Sequence, residues 1–238
     1  MTTDLTLLIW TAAGIGFFHT VVGPDHYLPF VVLGSARGWS LTKTIWITAL
    51  CGVGHVLSSV VLGMVGIGLG LAVHKMVAIE SLRGEIAAWA LIAFGLGYLA
   101  WGLRLAYRRR PHTHIHAHLD GSEHAHQHSH LSGHTHLHNE PESGANLTPW
   151  ALFIIFVLGP CEPLIPLLMF PAANSGLAAA ALVAAIFAAV TIATMLIVVA
   201  LAYLGARSLP LEALGRWSHA LAGGTLMLSG LFMIVLQV

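Results

Sequence analysis

The sequence predicts an all-α, polytopic membrane protein: six transmembrane helices forming two inverted three-helix repeats, each with a first helix broken by proline. Three observations carry that prediction. Of 238 residues, 57% are hydrophobic and only 8% charged, against about 25% charged in a soluble domain, and the mean hydropathy is +0.81. Apolar runs long enough to span a bilayer, about 20 residues each, recur along the whole chain. The first and fourth of these runs are interrupted by the same dipeptide, Gly23-Pro24 and Gly159-Pro160.

The first span, from about Leu5 to Gly34, is expected as a helix to Val22, a break, and a short half-helix. Proline removes a backbone donor and clashes with the preceding turn. The second span covers about Thr44 to Val73, with Cys51, His55 and glycines at 63, 66, 68 and 70 that suit close helix packing. Residues from Lys75 to Glu85 read as a connector, and the third span runs from about Ile86 to Tyr107. Trp89, Tyr98 and Trp101 fit interfacial or packing roles. The fourth span, Pro149 to about Pro171, is interrupted at Pro160, Pro163 and Pro166. The fifth covers about Gly176 to Leu204 and the sixth Trp217 to Leu236. The predicted divisions are therefore a first repeat over 1–107, a histidine-rich loop over 108–148, and a second repeat over 149–238.

Composition excludes several classes. The formal net charge is zero, so no basic surface points to nucleic acid. Cys51 and Cys161 both lie in apolar runs, which argues against a disulfide framework. The N-terminus, Met-Thr-Thr-Asp, lacks the positive region of a signal peptide, so the first run is expected to be a retained helix. Arg37, Lys43, Arg108, Arg109, Arg110, Arg207 and Arg216 fall in the first, third and fifth connectors, and only Lys75 and Arg83 fall on the opposite side. The bias predicts a multi-pass protein of the cell (inner) membrane with both termini outside and the histidine loop in the cytoplasm.

Three spans per half is an odd number, so the second half must insert upside down relative to the first, and such repeats hold their ligand between broken helices near the midplane. Superposing the two Gly-Pro pairs sets Asp25 opposite Cys161, His26 opposite Glu162 and His55 opposite Thr191. The candidate metal ligands are His19, Asp25, His26, His55, Cys161 and Glu162, nearly all the ionisable groups within the apolar runs. A charged group at membrane depth costs a few kcal/mol, which a bound cation offsets. Imidazole, carboxylate and thiolate together suit nickel, cobalt, zinc, iron or copper, whereas magnesium and calcium prefer all-oxygen sites. The bland alternative is that these groups pair only with one another and hold two broken helices together.

The loop supplies a second set of imidazoles: His112, His114, His116, His118, His124, His126, His128, His130, His134, His136 and His138. Such His-x-His spacing gives many interchangeable, low-affinity sites for borderline metals, on a segment expected to be disordered without metal. The alternative, a solvated linker, more often uses serine, glycine or glutamate.

With these residues in view, the chain resembles the nickel/cobalt transporter family and its urease-accessory and sulfite-exporter-like relatives, within the wider lysine-exporter superfamily. His19, Gly23-Pro24-Asp25-His26, the Gly54-His55 pair and the histidine loop carry the resemblance. The nickel permeases have a histidine, four residues and then Asp-His; here five residues separate His19 from Asp25. The resemblance implies that His19, Asp25 and His26 bind the metal during transport. The second half is similar to the membrane thiol-disulfide carriers of cytochrome c biogenesis, a fold neighbour with a Pro-Cys element in the first helix of each half. Gly159-Pro160-Cys161 matches that element, but Asp25 stands where the paired cysteine would be, leaving dithiol exchange no evident second sulfur.

These readings converge on a transporter, not an enzyme, that exports a divalent transition-metal ion, nickel or cobalt first. The metal is substrate, with no permanently bound cofactor, and the partners are the bilayer and the ion, with a homo-oligomer left open. The alternatives are an electron carrier working through Cys161, an exporter of sulfite or a small organic anion held at half-helix N-termini, and metal supply to a metalloenzyme. Asp25 and Glu162 at those same breaks would repel an anion. No Gly-rich Lys-Ser/Thr loop occurs, so this chain alone is not expected to be an ATPase.

Overall fold

The structure, a computed structural model, describes residues 3–108, 112–117, 123–128, 147–208 and 215–236. Helix α1 (Thr3–Val22) stops where Gly23 and Pro24 interrupt it, Pro24–His26 make one turn of 3-10 helix, and α2 (Leu28–Ala36) resumes the course. Pro24 and Pro29 each sit at the start of the turn they open, where a missing N–H costs nothing. Ser40 caps α3 (Leu41–Gly68) by accepting the N–H of Lys43 at 3.2 Å. A turn through Gly70, with φ of +65°, reverses the chain into α4 (Val73–Arg108). In the second half α5 (Leu147–Leu158) and α6 (Leu164–Asn174) flank the Gly159–Pro163 break, followed by α7 (Leu177–Ser208) and α8 (Ser218–Leu236).

Among the described residues α1, α3, α4, α7 and α8 are long and apolar enough to cross a membrane. The fourth expected span is instead two short apolar helices, α5 of 12 and α6 of 11 residues. At 1.5 Å per residue each is roughly 17 Å long, about half of a hydrocarbon core. Large apolar side chains stay on the outside, Trp10 and Trp46 each 72% exposed, a surface suited to lipid rather than water. Inside, Phe30 and Leu33 of α2 pack with Leu91, Phe156, Met195 and Leu226. A second cluster joins Ala12 of α1, Val56 of α3, Cys161 and Leu164 at the second break, and Phe187 of α7.

Three details differ from the sequence reading. Residues 75–85 are not a connector: they are the first turns of α4, in which Glu80 is buried through its ion pair with Arg83 while Lys75, Ser81 and Glu85 stay exposed. Pro171 does not end a helix but sits inside α6, which continues to Asn174 and is closed by the N–H of Ser175 on the Pro171 carbonyl at 2.7 Å. In the histidine loop, expected to lack regular structure, the backbone forms two antiparallel strands, β1 (His112–Ala117) and β2 (Glu123–His128). Their register sets His112 opposite His128, His114 opposite His126 and His116 opposite His124. His118, His130, His134, His136 and His138 lie outside the described residues.

The closest helix pair is α4 with α8, which run antiparallel. A β-carbon at Gly95 would fall 2.9 Å from the Gly223 carbonyl oxygen, and one at Gly223 would fall 2.8 Å from the Gly95 carbonyl oxygen. Gly102 meets Ala220 and Gly230 meets Ile92 in the same way, so backbone touches backbone along the seam. Gly97 and Gly224, on the same two helices, have open space beside them. Gly95→Leu and Gly223→Leu should therefore lower thermal stability in detergent, by about 1–3 kcal/mol or more because the clash is with backbone. Gly97→Leu and Gly224→Leu should leave it within error; equal losses in all four would remove the seam from this account.

Candidate metal centre

Three histidines from three elements meet at the first break. His19 ends α1, His26 closes the 3-10 turn and His55 sits midway along α3. Their ring centroids lie 4.7 Å (His19–His26), 5.1 Å (His26–His55) and 6.4 Å (His19–His55) apart. One ligand atom from each lies within 4.8 Å of the other two. His26 and His55 are each only 2% exposed. All three Nε2 atoms are buried and have no hydrogen-bond partner.

For His26 and His55 the opposite ring edges explain why. His26 Nδ1 lies 3.2 Å from the Gly23 carbonyl and 3.3 Å from Asp25 Oδ2. His55 Nδ1 lies 3.3 Å from the Phe156 carbonyl of α5. A carbonyl only accepts, so each Nδ1 carries the proton and donates. Each Nε2 then presents a lone pair toward the other rings. Unpaired buried polar atoms cost about 1–3 kcal/mol each, and the Nε2 lone pairs of His26 and His55 share this site with the unpartnered His19 Nε2. A divalent ion satisfies all three at once. At about 2.1 Å from a tetrahedral ion, ligand nitrogens lie ~3.4 Å apart, so atoms now within 4.8 Å of one another need close by at most about 1.4 Å.

The second break has its own machinery, which the sequence reading missed. Glu80 is fully buried and pairs with Arg83, Nη1 to Oε1 at 2.5 Å. Glu80 Oε2 accepts the backbone N–H of Cys161 at 3.2 Å and the Ser59 hydroxyl at 3.3 Å. Arg83 Nη2 donates to the Val157 carbonyl and to Ser58 Oγ at 2.8 Å each, and to the Gly159 carbonyl at 3.4 Å. A cation thus meets the free carbonyls of α5 and an anion meets the free N–H after the break, as the end dipoles favour. The available signal was the i, i+3 spacing of Glu80 and Arg83, which puts both on one helix face.

Of the six predicted ligands, His19, His26 and His55 come together. Asp25 stands behind His26, on Nδ1, as a group that orients a ligand rather than as part of the cluster. Cys161 is fully buried in apolar packing, with its backbone N–H on Glu80. Glu162 lines a different cavity, of about 400 Å³, with Ser81, Glu85 and Pro160. Neither belongs to the cluster of ligand atoms among the described residues. An apolar groove lined by Thr11, Phe18, Val22 and Pro163 reaches His19 from the lipid side.

No family model, curated protein or solved structure matches the chain. The family likeness therefore stands on its motif residues alone, and the centre on its geometry.

The clamp is testable. Arg83→Met strands the buried Glu80 charge and should cost about 3–5 kcal/mol in denaturation of the purified protein. Pairing it with Glu80→Gln, which keeps an acceptor for the Cys161 N–H, should recover part of that loss. A fully stable single variant would show that the pair does not hold the break.

Proposed function

We propose that this protein is a membrane transporter for a divalent transition-metal ion, nickel or cobalt first, bound by His19, His26 and His55. The observation that carries the reading is the convergence of three buried, unpartnered Nε2 atoms at the break of an apolar helix. Neutral imidazoles suit borderline metals and leave magnesium and calcium unattracted. Asp25 supplies the negative charge that partly balances a dication in a low-dielectric setting, and it does so through His26, as carboxylate–imidazole–metal chains do.

The inverted repeat is part of the proposal, and three observations support it. The same number of positions separates the ends of α1 and α5 (Val22, Leu158), the starts of α2 and α6 (Leu28, Leu164) and the starts of α3 and α7 (Leu41, Leu177). That spacing is also the one between the two Gly-Pro pairs. Along the α4–α8 seam the main pairs are reciprocal, Gly95 with Met227 and Gly223 with Leu99, Gly102 with Ala220 and Gly230 with Ile92, in a register eight positions shorter than that of the preceding helices. A two-fold axis through the seam generates such pairs, and it makes α5–α6 the inverted counterpart of the broken first span. With Arg83 engaged in an internal ion pair, Lys75 alone opposes the basic connectors, which favours a cytoplasmic histidine loop.

In this reading the loop gathers ions on the cytoplasmic side, the centre holds one ion between the broken helices, and rocking of one repeat against the other opens it outward. Two observations weigh against the alternatives. Cys51 and Cys161 are both free and buried, out of reach of a partner thiol. The Cys161 N–H, which an anion would use at the second break, is already taken by the Glu80 carboxylate.

Transport assays in proteoliposomes test the proposal. His26→Ala and His55→Ala should abolish nickel or cobalt movement, and Asp25→Asn should weaken metal binding by about 10–100-fold. Cys161→Ser should retain transport. Unimpaired metal movement in the His26 and His55 variants would remove the centre, and loss of all activity in Cys161→Ser would favour a thiol relay.

A further inference from the structure

One buried polar atom remains without a role. Thr191 lies in the middle of α7, fully buried, and its Oγ1 has no hydrogen-bond partner. Other hydroxyls in these helices behave differently. Thr20, Thr48, Thr225 and Ser229 each donate to the carbonyl four residues back, at 2.8, 2.8, 3.0 and 3.0 Å. That is the default for a hydroxyl on an apolar helix. Thr191 forgoes it, although the Phe187 carbonyl is one turn behind it.

Its neighbours fix where the hydroxyl sits. A β-carbon at Gly16 would meet Thr191 Oγ1 at 3.1 Å and the Phe187 carbonyl at 3.2 Å, and Gly16 lies three residues before His19. The Phe187 ring, one turn earlier on the same face of α7, is 6.4 Å from the His19 ring. From the other side, Gly52 of α3 packs on Ile192 and Met195, and His55 follows Gly52 by three residues. Thr191 is thus bracketed by the helix that carries His19 and the helix that carries His55. The repeat points to the same position. In the register that aligns the two Gly-Pro pairs, Thr191 is the counterpart of His55, and the first break, with His26, is the counterpart of the break that His55 faces.

We propose that the Thr191 hydroxyl is the fourth donor to the ion, completing a three-imidazole, one-hydroxyl site. The inference rests on the metal centre proposed above and adds to it the one ligand contributed by the second repeat. Three nitrogens and a neutral oxygen suit cobalt, nickel and zinc, and disfavour the soft copper(I) ion that a thiolate in the same place would attract. A weak fourth ligand also keeps one bond exchangeable, which a transported ion requires.

Cobalt(II) titration of the purified full-length protein, read as the visible difference spectrum against His55→Ala, tests this while cancelling the loop histidines. Thr191→Val, which keeps the shape and removes the hydroxyl, should change the ligand-field bands and weaken binding about tenfold or more. Its metal-free melting temperature should be unchanged or higher, because no structural bond is lost. Thr191→Ser should retain both spectrum and affinity. Thr191→Cys should add a near-ultraviolet sulfur-to-cobalt charge-transfer band, which a side chain pointing away from the ion cannot produce. Wild-type bands and affinity in Thr191→Val, together with no new band in Thr191→Cys, would overturn the assignment while leaving the three-histidine centre intact. A wild-type protein with no cobalt spectrum beyond that of His55→Ala would overturn both.

Discussion

A helix broken inside an apolar layer releases carbonyl and N–H groups that have no water to turn to, and each must find a partner in the protein. In this chain that requirement shapes the centre. At the first break the Gly23 carbonyl accepts the backbone N–H of His26 and also its Nδ1 proton. The end of α5 before the second break offers the Phe156 carbonyl, which takes the Nδ1 proton of His55. Each carbonyl already accepts one backbone N–H, from His26 and from Gly159 at 3.1 Å each, and its second lone pair fixes a tautomer and a ring orientation. The Nε2 lone pairs then face inward because nothing else is left for them to do.

The buried ion pair follows from the same requirement. Glu80 and Arg83 would be costly as an isolated pair, since desolvation of two charges can exceed their attraction. Here each carries further bonds: Glu80 to Ser59 and the Cys161 N–H, Arg83 to Ser58 and the Val157 and Gly159 carbonyls. The pair is better understood as a replacement for the missing helical turn than as a stabilising bridge between α4 and its neighbours. It also reaches the centre indirectly. Arg83 holds Val157, the residue after the one whose carbonyl orients His55.

Much of the architecture was legible in the sequence because Gly-Pro inside an apolar run has few explanations. The break after Val22, the half-helix behind it and the matching interruption near Pro160 all follow from the missing proline donor. Which of the candidate residues come together was half legible. Spacing marks the level of a side chain along a helix, and His19, His26 and His55 do share a level. It does not give rotation about the axis, and that is what turns Asp25 behind His26 and sends Glu162 to a separate cavity. The beginning of α4 was misread because a hydropathy window treats Glu80 and Arg83 as solvent-seeking, whereas mutual pairing and backbone contacts hold them inside. Pro171 was misread for a related reason: a helix already ending can tolerate a proline one turn from its last residue, since only one carbonyl loses its partner.

The unequal contributions of the two halves bear on how binding could be coupled to movement. His19, His26 and His55 all belong to the first half, so the rings themselves move together if the halves rock about the glycine seam of α4 and α8. At the histidines, the bond that crosses between the halves runs from His55 Nδ1 to the Phe156 carbonyl. Rocking that lengthens this bond frees the His55 ring to rotate and its proton to shift between nitrogens, and either change takes a lone pair away from the ion. On the transporter reading, affinity is therefore controlled at a backbone carbonyl outside the coordination shell. A carrier whose three imidazoles all sit on one rigid half needs contacts from the other half, this bond and the Thr191 hydroxyl proposed above, because without them the two conformations would bind the ion equally and the motion would release nothing.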